Sequence, residues 1–158
     1  MSRDFKRGYK QYVRTDALPI LRFVEAEAAR GNARELGDYT ELSMFDLRGE
    51  VCFRLMFADR MVGFATAKCE GLRKRLLRIY VMPEYRRHGI ASWVLDEMPV
   101  TDINVPVRCI ELVSLCRKKG YVYTTRQYST RVAELTRPNI KASHLRGTSN
   151  SIPTSQVG

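Results

Sequence analysis

Histidine is scarce in this chain, and cysteine is never paired. The two histidines, His88 and His144, have no carboxylate cluster beside them, so a structural zinc site is not expected. The four cysteines, Cys52, Cys69, Cys109 and Cys116, are widely spaced and form no C-x-x-C pair. They read as reduced core thiols of a cytoplasmic protein, not as a disulfide frame. No apolar run approaches the roughly 20 residues that span a bilayer. The opening stretch MSRDFKRGYKQYVR has no apolar h-region, so neither a secretory leader nor a membrane partner is expected. Internal repeats and long low-complexity tracts are also missing.

Acidic residues are in deficit too: 17 Asp and Glu stand against 27 Lys and Arg, for a net charge of +10. The imbalance is uneven. Lys68 to His88 holds seven Lys/Arg against two acids and Arg108 to Arg146 nine against two, while acids gather between Glu35 and Glu50. Such asymmetry favours an anionic partner: a phosphorylated cofactor, tRNA or another nucleic acid, or an acidic protein face. What is present suffices for a core, since 44% of the 158 residues are hydrophobic. One domain over residues 1–136 and a polar tail over 137–158 are expected.

Periodicity places the elements. An edge strand is expected around Tyr9 to Val13, then a helix capped by Thr15 or Asp16, with Leu18, Leu21, Phe23, Val24 and Ala28 on its apolar side. Gly31 stops it, and a second helix covers Ala33 to Tyr39. Val51 to Phe57 and Met61 to Lys68 form a hairpin over Ala58-Asp59-Arg60. A loop, Glu70 to Arg75, leads to a buried strand from Leu76 to Met82, and a helix opens near Gly89 and stops near Pro99. A fifth strand runs from Val100 to Val105. A helix follows from Pro106 to Lys119, with Cys109, Leu112, Val113 and Cys116 as its apolar face. Tyr121 to Ser129 and Arg131 to Leu135 close the sheet.

The chain is organised around LLRIYVMPEYRRHGIASWVLDEM, Leu76 to Met98. A helix start carries unsatisfied N–H donors and about half a positive charge, which suits phosphate. Gly89 lets the main chain approach a ligand closely. Val81-x-Pro83-x-Tyr85-Arg86-x-x-Gly89-Ile90-Ala91 resembles motif A of the GNAT superfamily, the acyl-CoA-dependent N-acyltransferases. Val62-Gly63-Phe64-Ala65 resembles the strand before that motif. Leu115-Cys116-Arg117-Lys118-Lys119-Gly120-Tyr121 resembles the family's second landmark, Leu-Tyr-x-x-x-Gly-Phe.

The resemblance implies an α/β (α+β) fold. Its central sheet is mixed and mostly antiparallel, flanked by helices, with a V-shaped opening between strands four and five. It implies that Arg86, Arg87, His88, Gly89, Ile90 and Ala91 hold the coenzyme A pyrophosphate. The main chain of Val81 and Met82 is expected to bind the pantetheine arm and polarise the thioester. The implied activity is direct transfer of acetyl from acetyl-CoA to an amine, without a metal.

Three features depart from the family, one being Cys109 where an Asn often opens the last helix. The landmark Tyr, which in the family protonates the leaving thiolate, is replaced by Cys116; that thiol is one candidate acid, and Tyr121 or Tyr123 nearby could substitute. No carboxylate lies between Leu72 and Met82, so Asp102 is the base to consider, with Glu111 as another. An alternative therefore stands beside the enzyme: a GNAT-like structural or interaction subunit without turnover, in a larger assembly such as a viral particle or a nucleic-acid machine.

Overall fold

The computed structural model describes residues 9–124 and 132–137. A seven-stranded sheet in the order β1-β2-β3-β4-β5-β7-β6 forms its centre. The strands are β1 (Lys10–Thr15), β2 (Val51–Phe57), β3 (Arg60–Glu70), β4 (Arg73–Val81), β5 (Asp102–Pro106), β6 (Val122–Tyr123) and β7 (Val132–Thr136). All neighbours pair antiparallel except β4 and β5, which run parallel. The expected tail from residue 138 and the strand residues 125–131 lie outside the described residues.

Two helices cover opposite faces. On one, α1 (Ala17–Glu27) sets Phe23 edge-on against Phe64 and Tyr80, with ring centroids 6.0 and 6.2 Å apart. On the other, α4 (Ile90–Glu97) brings Trp93 to Tyr12 at 5.6 Å, and Tyr12 to Phe53 at 5.4 Å. Leu55, Phe64, Leu76, Val94 and Ile103 lie fully buried between them. The remaining helices are α2 (Ala33–Leu36), α3 (Met44–Leu47) and α5 (Ile110–Lys118). No helix among the described residues is long and apolar enough to cross a membrane.

Several boundaries differ from expectation, each for a local reason. The helix expected to run to Tyr39 ends at Leu36, because Gly37 turns to φ 58° and a 3-10 turn, Gly37–Glu41, follows. The helix α3 starts on a reciprocal cap: Ser43 accepts from the Asp46 amide, and the Asp46 carboxylate accepts from the Ser43 amide. The fully buried stripe of α1 is Ile20, Val24 and Glu27; Leu21, Phe23 and Ala28 pack partly buried against the core, and only Leu18 of the expected set is exposed. β4 begins three residues early, since the turn at Gly71 (φ 68°) reverses the chain at once. Pro106 ends β5, and α5 opens only at Ile110. The hairpin between β2 and β3 turns on Ala58 and Asp59, both at positive φ, which matches the strands' twist.

Candidate functional site

The central strand β4 leads into a single 3-10 run, Pro83–His88, then Gly89 and α4. Gly89 adopts φ 71° and ψ 22°, a left-handed conformation that favours glycine. Nothing lies within 4 Å of where its Cβ would stand, so the space beside it is open. The first bond of α4 runs from the Trp93 amide to the Gly89 carbonyl at 2.9 Å. The amides of Ile90, Ala91 and Ser92 therefore have no acceptor within the helix. Arg87 and His88 are exposed beside them, and the His88 ring lies 4.9 Å from Phe57.

Arg86 has a different task. Its Nε donates to the Val81 carbonyl at 2.8 Å, and its NH1 to Glu35 at 2.6 Å. Its guanidinium lies 5.3 Å from the centre of the Tyr80 ring. Arg30 makes a parallel link to Glu84 at 3.0 Å. Two ion pairs thus tie the loop to the segment after α1. Beneath them, the buried Glu27 carboxylate accepts from the Tyr80 hydroxyl at 2.7 Å, Asn32 at 2.8 Å and Arg30 at 2.9 Å. This network pins the strand residue next to Val81.

Beside the loop, the sheet splits. β4 and β5 share only two register pairs, Arg75 with Asp102 and Leu76 with Ile103. A bulge at Leu77 shifts the β3–β4 register between Thr66 and Ala67. Beyond it, β5 continues with β7 while the β4 edge stands free. The Met82 amide donates to the Val62 carbonyl at 2.8 Å, and its carbonyl accepts from the Tyr85 amide. Antiparallel alternation then turns Tyr80 and Arg78 toward β3, and Ile79 and Val81 toward the gap. Val81 therefore stands at the unpaired edge with its amide directed to the gap and its carbonyl held by Arg86, whereas both main-chain groups of Met82 are spent inside the fold.

The gap forms a cleft of about 750 Å³, lined among others by Ile79, Val81, Arg86, Ala91, Cys109 and Leu112. A second cavity of about 650 Å³ adjoins it, with Asp38, Glu41, Asp46, Arg78 and Asn104 in its walls. Leu36, Tyr39, Pro106 and Arg108 line both. The second cavity thus mixes carboxylates with guanidinium groups and does not carry the chain's basic excess.

The structure does not bring the three side chains suggested for catalysis to the cleft. Cys116 is fully buried, and burial pushes its thiol up to about 11. Asp102 is buried at the closed end of the V, gripped by both Nε and NH2 of Arg73 at 2.8 Å. Burial alone would raise its pKa, but hydrogen bonds from Arg73, Thr136 and Thr101 hold the carboxyl below its usual range. Tyr121 donates from its hydroxyl to the Val100 carbonyl at 2.8 Å, and burial pushes it up to about 12. None of the three lines either cavity.

Tyr39, Ile79, Arg108 and Glu27 were not singled out by the sequence. Only Glu27 leaves a local trace, as an acid continuing the Ile20–Val24 stripe. Among the described residues, no His, Cys, Asp and Glu side chains gather as a metal-binding group.

Comparison with solved structures decides the architecture. The PaiA N-acetyltransferase of Thermoplasma acidophilum, solved in complex with coenzyme A, superposes with a TM-score of 0.55 at 15% identity, covering 81% of this chain and 99% of that one. The chain has the GNAT fold. The GNAT domain of S. lividans PAT gives 0.56 at 14% identity over 81% of this chain and 88% of that one. An IAA acetyltransferase from Bacillus cereus gives 0.56 at 10% identity over 80% and 97%. No family model matches the sequence, and no curated protein matches it. The mostly antiparallel GNAT sheet, its parallel β4–β5 contact and the splay beyond it are therefore shared in shape at very low identity.

Proposed function

We propose that this chain is an acyl-CoA-dependent N-acyltransferase that uses acetyl-CoA. One observation carries the reading: the free β4 edge at Ile79 and Val81 opens into the same cleft as the start of α4. The residues fit coenzyme A. The open space at Gly89 and the unpartnered amides of Ile90 and Ala91 suit a pyrophosphate, with Arg87 adding positive charge and the exposed His88 ring beside it. Arg86 holds the loop in place through Val81 and Glu35.

Acetyl-CoA, when bound, supplies the activated acyl group. The Val81 amide, directed into the gap, binds the arm or the thioester carbonyl, where a fixed donor favours developing negative charge. The second cavity is the amine's approach, meeting the first at Tyr39 and Arg108. Fixing both reactants can supply about 7–11 kcal/mol of the barrier reduction. Cys116, Asp102 and Tyr121 serve the frame in this reading.

A second reading, a GNAT-shaped interaction subunit without turnover, draws on the burial of those three groups. A thermal-shift titration with acetyl-CoA, coenzyme A and ATP separates them. A ligand at 100 times its dissociation constant stabilises by about 2.7 kcal/mol. Stabilisation by both coenzyme A species and not by ATP is expected, and Gly89→Glu should abolish it while leaving the unliganded protein folded. No response to coenzyme A would refute the site.

A further inference from the structure

Acyl transfer to an amine leaves a thiolate that must be protonated, and Cys116, at the position where GNAT proteins commonly carry a tyrosine for this, is sealed in the core. The place where the two cavities meet offers another hydroxyl. Tyr39 sits in the 3-10 turn after α2 and lines both cavities. Its ring is held edge-on against Phe64, with centroids 5.8 Å apart. Tyr39 shares the cavity walls with Ile79, on the unpaired edge of β4, and with Cys109, Arg78 and Arg108. Tyr80 also lines the first cavity, but its hydroxyl is spent on Glu27. Tyr39 is thus a phenol positioned by its ring contact with Phe64, at the seam an acyl group must cross.

We infer that Tyr39 donates a hydrogen bond, and then its proton, to the departing coenzyme A sulfur. The inference rests on the proposed acyl-CoA site. An arm held at the α4 start and running back along β4 passes Val81 and brings its sulfur to Ile79, beside the Tyr39 hydroxyl. The acceptor nitrogen attacks the thioester carbon, and the C–N bond forms. The C–S bond then breaks, its electron pair stays on sulfur, and the sulfur takes the Tyr39 proton. The proton shed by the acceptor nitrogen restores the phenol. Burial pushes the Tyr39 hydroxyl up to about 12, so it carries its proton at neutral pH. Arg78 and Arg108 oppose that rise and favour the transient phenolate. Arg108 lies across Gly37, where an added Cβ would fall 1.6 Å from its guanidinium nitrogen. It forms no ion pair among the described residues.

The test needs no acceptor. Coenzyme A and desulfo-coenzyme A are titrated calorimetrically into the full chain at pH about 8.5, near the reference pKa of a thiol. They are titrated likewise into Tyr39→Phe, which keeps the ring and its Phe64 contact. The wild type should bind coenzyme A about tenfold more tightly than the desulfo compound, as a hydrogen bond to a charged group predicts. Tyr39→Phe should bind both compounds with the wild-type affinity for desulfo-coenzyme A. Equal affinities in the wild type would overturn the assignment whatever the variant does, and so would a preference surviving in Tyr39→Phe. If the wild type binds neither compound, the acyl-CoA site itself is refuted, and Tyr39 falls with it.

Discussion

Gly63→Ala tests whether strand spacing sets the cleft. Gly63 lies opposite Val81 in the β3–β4 register. An added Cβ would stand 2.1 Å from the Tyr80 carbonyl oxygen and 3.1 Å from the Val81 Cα. Both contacts are with main chain, so no rotamer change relieves them. One strand must shift, and the strand on that side is the one that carries the cleft. Overpacking costs about 1–3 kcal/mol, and a main-chain clash this close belongs at the upper end, near 3 kcal/mol. Gly71→Ala is the control: it has nothing within 4 Å but sits at φ 68°. Its loss is left-handed strain alone, about 1–2 kcal/mol. Urea unfolding of both variants gives the two losses, and coenzyme A titration of the folded fraction gives the site effect. Gly63→Ala should be the less stable by about 1 kcal/mol or more and bind coenzyme A more weakly. A loss no larger than that of Gly71→Ala would refute the clash. A large loss with unchanged affinity would separate the strand spacing from the site.

Asp102→Asn reads a pH dependence. The Asp102 carboxyl is held below its usual range when folded, so its contribution is complete above the unfolded value, about 3.9, and fades as pH falls through the folded value. The melting-temperature gap between wild type and Asp102→Asn should be widest near neutrality and narrow below pH about 4; a gap constant down to pH about 2 would contradict it. Glu27→Ala removes the acceptor of the Tyr80 hydroxyl, Asn32 and Arg30 together and should cost about 3–5 kcal/mol. Adding Tyr80→Phe to that variant should cost far less than Tyr80→Phe alone, because the hydroxyl has already lost its partner; additive losses in chemical unfolding would mean that the two residues act independently.

What the sequence disclosed was local. The strand, the Pro-marked loop and the helix start at Gly89 are neighbours along the chain, so their residue types and spacing appear in one window. The β2–β3 hairpin was legible for the same reason. The seam was not, because it joins a 3-10 turn near residue 39 to a strand near residue 79 and a loop near residue 108. Nothing in the spacing of those segments marks Tyr39. The bulge at Leu77 leaves no composition signal. Asp102 and Tyr121 looked free in the sequence because Arg73 and the Val100 carbonyl, which engage them, are distant in the chain or a main-chain atom. Cys109, which caps α5, and Cys116 within it share one helical period, yet Cys109 lines the cleft while Cys116 is sealed. Their spacing could not say which end of that stripe faces the gap. The Ser43–Asp46 cap was visible and went unread.

The proposed site rests on main-chain chemistry, which is compatible with a fold shared at 10–15% identity. A site made from amides at a split sheet edge and a helix start needs a backbone path more than particular side chains. Glycine is favoured where φ is positive at Gly89, and required where two strands approach too closely for a Cβ at Gly63. Elsewhere the path is kept by supports that can be exchanged, here Glu27 beneath Tyr80 and Glu35 against Arg86. A proton donor for the sulfur must meet a stricter condition, since it has to reach one point in space. That point lies between the two walls of the V, so either wall can supply the donor. The helix carrying Cys116 offers only a buried thiol, and the proposed donor stands on the opposite wall, at Tyr39. In the proposed reading either wall can carry that task without disturbing the amide path, so a buried thiol at Cys116 is compatible with the sheet, the loop and the cleft.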